Sequence, residues 1–269
     1  MDVKKVLFVN QGISPYLPES PMTIRGCNVP KGIQESGCQI RTFLPQWGCI
    51  NERRNQLHEV IRLSGMNIII AGNDHPLIIK VASLQSARMQ VYFIDNDDYF
   101  DKRGIIGDEG SSEEYEDNGE RAVFYARGVL ETVKKLRWTP DVVQCQGWIS
   151  AVTPLYIKTA FKDEPIFAKS KVVFELNDVT LTRPLQENFS ACLLTRNVTK
   201  TLLKKENLKF ESAADLIKLG IYYADAVTLG AENIDPEFID YAKSLGKPIL
   251  PYSDGNYAAA YGDFYKKLT

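Results

Sequence analysis

Few side chains in this 269-residue chain could carry acid–base, metal or phosphate chemistry, and their placement narrows the choice. There are two histidines, His58 and His75, and five cysteines, Cys27, Cys38, Cys49, Cys145 and Cys192, an odd number at wide spacings with no Cys-x-x-Cys. That pattern disfavours both a zinc site and a disulfide framework, so no metal is expected. Cys27, Cys38 and Cys49 are evenly spaced, but the sequence around them does not repeat. The cysteines are therefore expected as small buried apolar side chains. His58 reads as a helix or loop surface residue and His75 as part of a turn. With no serine or cysteine motif beside either, a hydrolytic triad is disfavoured. A phosphate cradle would belong in the turn after the first strand. Segment 11–30, QGISPYLPESPMTIRGCNVP, instead carries Pro15, Pro18, Pro21 and Pro30. Proline has no N–H to offer a phosphate oxygen, so no nucleotide is expected through this loop, and no cofactor.

The elements that must position these residues alternate. Short β-branched runs at 5–10, 39–44, 66–71, 78–85, 89–94, 141–144, 172–176 and 226–229 read as strands. Between them lie helical patterns. The clearest is 118–136, where Ala122, Tyr125, Ala126, Val129, Leu130 and Val133 recur at three-to-four spacing and Lys134–Lys135 suit the C-terminal end. Asp117 or Asn118 is placed to cap it. Such alternation predicts an α/β fold, a single Rossmann-like, doubly wound and mostly parallel sheet over residues 1–269, with ligands bound beyond the carboxyl ends of the strands. Three strand candidates crowd into 68–92 without a helix. A β-hairpin extension is expected there, turned by Asn73-Asp74-His75-Pro76. The acidic segment 95–118 is either a solvated loop or a polar lid over the sheet edge. Residues 255–269 read as an amphipathic C-terminal helix that docks back on the domain, with Tyr257, Ala260, Tyr261, Phe264 and Leu268 on one side.

Composition excludes other classes. A 44% hydrophobic and 25% charged chain is that of an ordinary globular protein, and a net charge of −2, from 32 Lys+Arg against 34 Asp+Glu, gives no overall attraction to nucleic acid or an anionic membrane. The N-terminal apolar run, broken by Asn10, is too short for a signal-peptide core. The chain reads as cytoplasmic.

Several long stretches resemble one enzyme family in order: KVLFVNQGISPY at 5–16, QIRTFLPQWG at 39–48, VYFIDNDDYFDKRGIIGDEG at 91–110, the stretch from Tyr115 to Trp148 ending DVVQCQGW, TPLYIKTAFKDEPIF at 153–167 and IKLGIYYADAVTLGAE at 217–232. They are similar to the N-terminal half of the bacterial glycogen synthase/starch synthase glycosyltransferases, two-domain enzymes of the GT-B fold. The resemblance implies the N-terminal domain of a GT-B fold. It also implies a reaction, retaining transfer of glucose from ADP-glucose to an α-1,4-glucan. In that family this domain shapes the acceptor side and a second domain grips the nucleotide-sugar, so half of the active site is expected to lie outside these residues.

Where the family places chemistry, this chain departs from its pattern. The Lys-x-Gly-Gly loop falls on Pro18, Glu19, Ser20 and Pro21. His-x-His-Asp-Trp becomes Gln144-Cys145-Gln146-Gly147-Trp148, and His-Asn becomes Asn177-Asp178. Gln146, at the position of the histidine that points at the transferred sugar, can hydrogen-bond a hydroxyl but cannot carry a proton or a charge. No catalytic residue is therefore assigned. What the resemblance retains for substrate binding is Asp95, Tyr99, Asp117, Asn118, Arg121 and Trp148, joined by Gln146 and Asn177. Carboxylate, amide and indole are the groups that grip carbohydrate. Equally plain structural uses stand beside that reading, a helix cap for Asp117-Asn118 and a core position for Trp148. Two functions follow as expectations: a family glycosyltransferase inactive as an isolated chain, or a non-catalytic module that binds a glucan or a protein. The expected partners are an α-glucan or oligosaccharide, and a separate donor-domain chain or a second copy.

Overall fold

The computed structural model describes residues 3–205 and 208–269. In chain order the elements are β1 (Lys5–Val9), α1 (Pro21–Glu35), β2 (Gln39–Pro45), β3 (His58–Glu59), β4 (Met66–Ile70), β5 (Asn73–Leu84), β6 (Met89–Asp95), α2 (Asn118–Lys135) and β7 (Val142–Gln146). They continue as α3 (Thr153–Lys158), β8 (Lys171–Leu176), α4 (Phe189–Cys192), α5 (Lys200–Lys205), α6 (Ala213–Tyr223), β9 (Ala226–Leu229), α7 (Pro236–Ser244), β10 (Ile249–Leu250) and α8 (Tyr257–Leu268).

The sheet runs β10-β9-β8-β7-β1-β2-β6-β5-β3, with β4 paired to β5. From β10 to β6 every neighbour is parallel, and β1, β7 and β8 are buried along almost their whole length, as a strand covered on both faces must be. Two groups of helices flank it, α1 with α8, and α2 with α3 and α6. The chain leaves β1 toward β2 and β6 and later returns on its other side through β7, so the strand order reverses between β1 and β7. A crevice opens at such a point, beyond the carboxyl ends.

The hairpin is present, but its turn lies elsewhere than 73–76. Ala71 (φ 49) and Gly72 (φ 91) make a two-residue turn of the left-handed kind that matches strand twist. Asn73 to Pro76 instead begin β5, whose first part pairs with β4 and whose second part pairs with β6. The cysteine expectation also changes. Cys145 and Cys192 are buried, Cys27 and Cys38 are partly so, and Cys49 is exposed in the loop after β2.

The proline-rich segment after β1 is only partly loop. Ser20 and Thr23 form a reciprocal capping box, and Pro21 takes the first helical position, where an N–H is dispensable. Pro30 lies inside α1 and removes the bond that would end on the Gly26 carbonyl. Asn10 Nδ2 donates to that carbonyl instead, at 3.0 Å, tying the helix to the end of β1. Helix α2 begins at Asn118 with its six predicted apolar positions buried.

Candidate functional site

The carboxyl ends of β7 and β8 carry a buried polar network around a single carboxylate. Glu175, 2% exposed and following the apolar run Val172–Phe174 of β8, accepts from Tyr261 Oη at 2.6 Å and Gln146 Nε2 at 3.2 Å, with longer contacts from Gln144 Nε2 and Asn177 Nδ2, both 3.4 Å. Gln144 in turn donates to Thr228 Oγ1 at 3.1 Å and accepts from Tyr265 Oη at 2.9 Å. Both tyrosines come from α8, so the C-terminal helix completes the network. Burial raises the Glu175 pKa, and the bonds from Tyr261 and Gln146, with the charge of Arg25, only partly offset it.

Gln146 has no hydrogen-bonding capacity to spare on its nitrogen. Nε2 donates to Glu175 and to the Met22 carbonyl at 3.2 Å, while Oε1 accepts from Gly12 N–H at 3.3 Å. It therefore bridges the loop after β1, helix α1 and β8 across the point where the strand order reverses. Gly147 follows with φ 74, and a Cβ there would meet Gln11 Oε1 at 2.2 Å. We expect Gly147→Ala to cost about 2 kcal/mol or more, read as a fall in the urea midpoint; an unchanged midpoint would show that Gln11 simply rotates away. Trp148 is fully buried, its ring 6.2 Å from that of Trp47, and offers no open face for stacking.

A second group forms around α2 and the acidic segment. Asp117 makes no side-chain cap; its carboxylate is gripped by Arg103 through two bonds, at 2.8 and 2.6 Å. Asn118 donates to the Ile106 carbonyl at 2.9 Å and accepts from Arg121 at 2.8 Å. Arg121 is fully buried and donates further to the carbonyls of Tyr99, Gly104 and Ile105, at 2.8 to 2.9 Å. Burial, then the Arg103 charge, lower its pKa to about 9. Asp95 is paired with Lys80 at 2.7 Å, and burial nonetheless raises its pKa. The Tyr99 hydroxyl donates to Glu120 and lies 3.0 Å from His75 Nε2; burial and then Glu120 push its pKa up. The two groups touch through Trp47, whose ring lies under the Arg121 guanidinium at 5.0 Å and beside Trp148.

Of the predicted residues, Asp117 leaves 33% of its side chain exposed, and Asn177 borders a cleft. A cleft of about 800 Å³ beyond β8 and β9 is lined by Asn177, Asp178, Thr180 and Ser212 over an apolar floor that includes Ile217 and Phe238. None of its lining residues is cationic. Asn177 is 6% exposed, its Nδ2 turned to Glu175 and its Oδ1 buried beside Gly230, so neither polar atom faces the cleft. Another cavity, of about 600 Å³, lies between α1 and α8 and includes none of the predicted residues. The cleft lies at the carboxyl edge, where this fold places ligands, and Asn177 is the predicted residue in its lining. Glu175, Tyr261 and Tyr265 were not singled out as site residues by sequence, although a lone charge inside VVFEL is a visible signal of a buried, partnered carboxylate. Among the described residues no group of His, Cys, Asp and Glu is arranged to hold a metal, and no helix is long and apolar enough to cross a membrane.

Comparison with known proteins agrees with this architecture. The family described as the starch synthase catalytic domain matches residues 5–242. This chain belongs to that family. A glycogen synthase of Pelodictyon phaeoclathratiforme is 30% identical over 224 residues, 83% of this chain and 45% of the relative; one of Chlorobaculum tepidum is 29% identical over 236 residues, 88% and 47% respectively. The chain thus spans about half the length of these relatives. Among solved structures, the catalytic domain of starch synthase IV from Arabidopsis thaliana, bound to ADP and acarbose, superposes with a TM-score of 0.68 at 15% identity, covering 93% of this chain and 51% of that one. The ten-stranded, mostly parallel sheet is accordingly the Rossmann-like domain of a GT-B fold. The family assignment and the sequence resemblance coincide.

Proposed function

We propose that this member of the starch synthase family is a cytoplasmic, glycosyltransferase-like protein that holds an α-glucan or short oligosaccharide in the carboxyl-edge cleft and does not turn over as an isolated chain. The observation that carries the reading is the lining of the cleft. The hydroxyls of Thr180, Thr182 and Ser212 and the carboxylates of Asp178, Asp235 and Glu237, over an apolar floor, suit a polyhydroxylated ligand, and the absence of any cation from the lining gives a sugar nucleotide no phosphate anchor there. Transfer of glucose from ADP-glucose, the family reaction, would need a donor-holding half from a separate chain or a second copy. Against independent catalysis stands Gln146, whose amide is committed to the scaffold in place of a proton-bearing side chain. The same fact supports the alternative of a non-catalytic glucan-binding or regulatory module.

Calorimetric titration of the full chain separates these possibilities. Maltoheptaose is expected to bind and ADP-glucose is not expected to displace it, and Thr180→Ala, which removes a hydroxyl from the cleft lining, should weaken the oligosaccharide about tenfold, the worth of one lost hydrogen bond. If maltoheptaose does not bind, the glycan reading fails and a protein-interaction role gains. Incorporation of glucose into glycogen by the purified chain would refute the claim that it is inactive alone.

A further inference from the structure

Arg25, on the first half of α1, is 4% exposed, yet among the described residues it forms no ion pair with a carboxylate. Its cover comes from the segment joining β10 to α8. Tyr252 and Tyr257 lie on its guanidinium with ring centroids 4.5 and 4.4 Å from Cζ, and one terminal nitrogen donates to the Ser253 carbonyl. A guanidinium has five N–H donors in a planar fork suited to two oxygens of one anion. Here it faces two rings and one carbonyl, and the carboxylate that feels its charge, Glu175, is itself shared among Tyr261, Gln146, Gln144 and Asn177. The covering segment is itself largely in water: Pro251 and Ser253 to Asn256 are exposed, Tyr252 donates to nearby Asp254, and a Cβ at Gly255 would meet Ser253 Oγ of the same segment at 3.6 Å.

The place that this cation occupies gives it meaning. Met22 and Gly26, which flank Arg25 on α1, meet Gln146 and the Gly12 carbonyl, so Arg25 stands beside the crevice between β1 and β7. Segment 251–256 is therefore a short strap over a cation at the crevice rim. Aromatic rings over a guanidinium hold it by an attraction that a bidentate oxyanion can replace.

We propose that residues 251–256 form a displaceable strap over an oxyanion site centred on Arg25, and that the site takes a phosphate group presented at the crevice rim. The proposal goes beyond the glycan cleft and stands without it, since no cleft-lining residue takes part. The ligand competes with the strap for the guanidinium. Loosening the strap must therefore tighten the ligand, and binding the ligand must loosen the strap.

The test uses the full chain and inorganic pyrophosphate as the probe. In calorimetric titration, Tyr252→Ala should bind pyrophosphate at least tenfold more tightly than the unaltered chain, and adding Arg25→Met to that variant should abolish the gain. Hydrogen exchange of amides 251–256 should speed up when pyrophosphate is added to the unaltered chain. ADP binding to Tyr252→Ala as tightly as pyrophosphate supports recognition of the phosphate itself. Tyr252 lies in an exposed segment, so this variant reports even if Arg25→Met does not fold. No saturable pyrophosphate binding by Tyr252→Ala, binding that survives the loss of Arg25, or ADP binding without pyrophosphate binding would each overturn the proposal.

Discussion

Glu175→Ala is expected to destabilise the fold by about 3–5 kcal/mol, since it removes the acceptor that Tyr261, Gln146, Gln144 and Asn177 share and leaves their donors buried. Glu175→Gln should cost less, because it keeps the volume and one acceptor oxygen. The two substitutions also separate charge from shape. Because burial raises the Glu175 pKa in the folded chain, the folded state holds this proton where the unfolded chain has lost it. The stability tied to the group is thus fully present below the ordinary glutamate range and declines as pH rises through the raised value. Glutamine has no such proton, so the stability gap between the native chain and Glu175→Gln should shrink as pH rises. Urea midpoints for both proteins across that window check the sign, and a gap that widens with pH would mean that Glu175 is held as a stabilised anion.

The same network shows why fold and site differ in how readily they are read. Buried parallel strands are apolar runs, so KVLFV and VVFEL declare themselves, and the 118–135 helix does so through its three-to-four periodicity. Strands β3 and β10 are two residues long and carry no period to detect. The hairpin turn at Ala71-Gly72 is hidden by Asn73-Asp74-His75-Pro76, whose composition is the stronger turn signal although its residues continue a strand. Side-chain partnerships are less legible still. Tyr261 reads as one apolar position on an amphipathic helix, but its hydroxyl crosses 86 residues of sequence to reach Glu175. Nothing local to GERAV marks Arg121 as a hub for three distant carbonyls, and nothing local to MTIRG marks Arg25 as the seat of a strap.

Loss of the predicted binding residues can therefore act through the scaffold as much as through a ligand, and Arg121 gives the sharpest case. Segment 96–117 contains no helix or strand, and Glu114 and Arg121 are prominent among the groups that hold it. Glu114 anchors its far side on Thr182 and Arg183; burial opposes the charge there, but the bonds from both residues prevail and lower the Glu114 pKa. Arg121 holds the near side through the carbonyls of Tyr99, Gly104 and Ile105, while its guanidinium lies against Trp47, Phe100 and Tyr115. Arg121→Met keeps apolar contact with those rings but strands three carbonyls and Asn118 Oδ1, so a loss of about 3–5 kcal/mol is expected. Lysine retains the charge but presents it from one point, which cannot reach all of these acceptors, so Arg121→Lys should recover less than half of the loss. Urea unfolding measures the size, and hydrogen exchange locates it: amides 104–118 should lose protection first, ahead of β7 and β8. Uniform loss of protection across the sheet would show that Arg121 supports the core as a whole. An unchanged unfolding midpoint in Arg121→Met would show that the loop closes without it and that the guanidinium is held for a ligand.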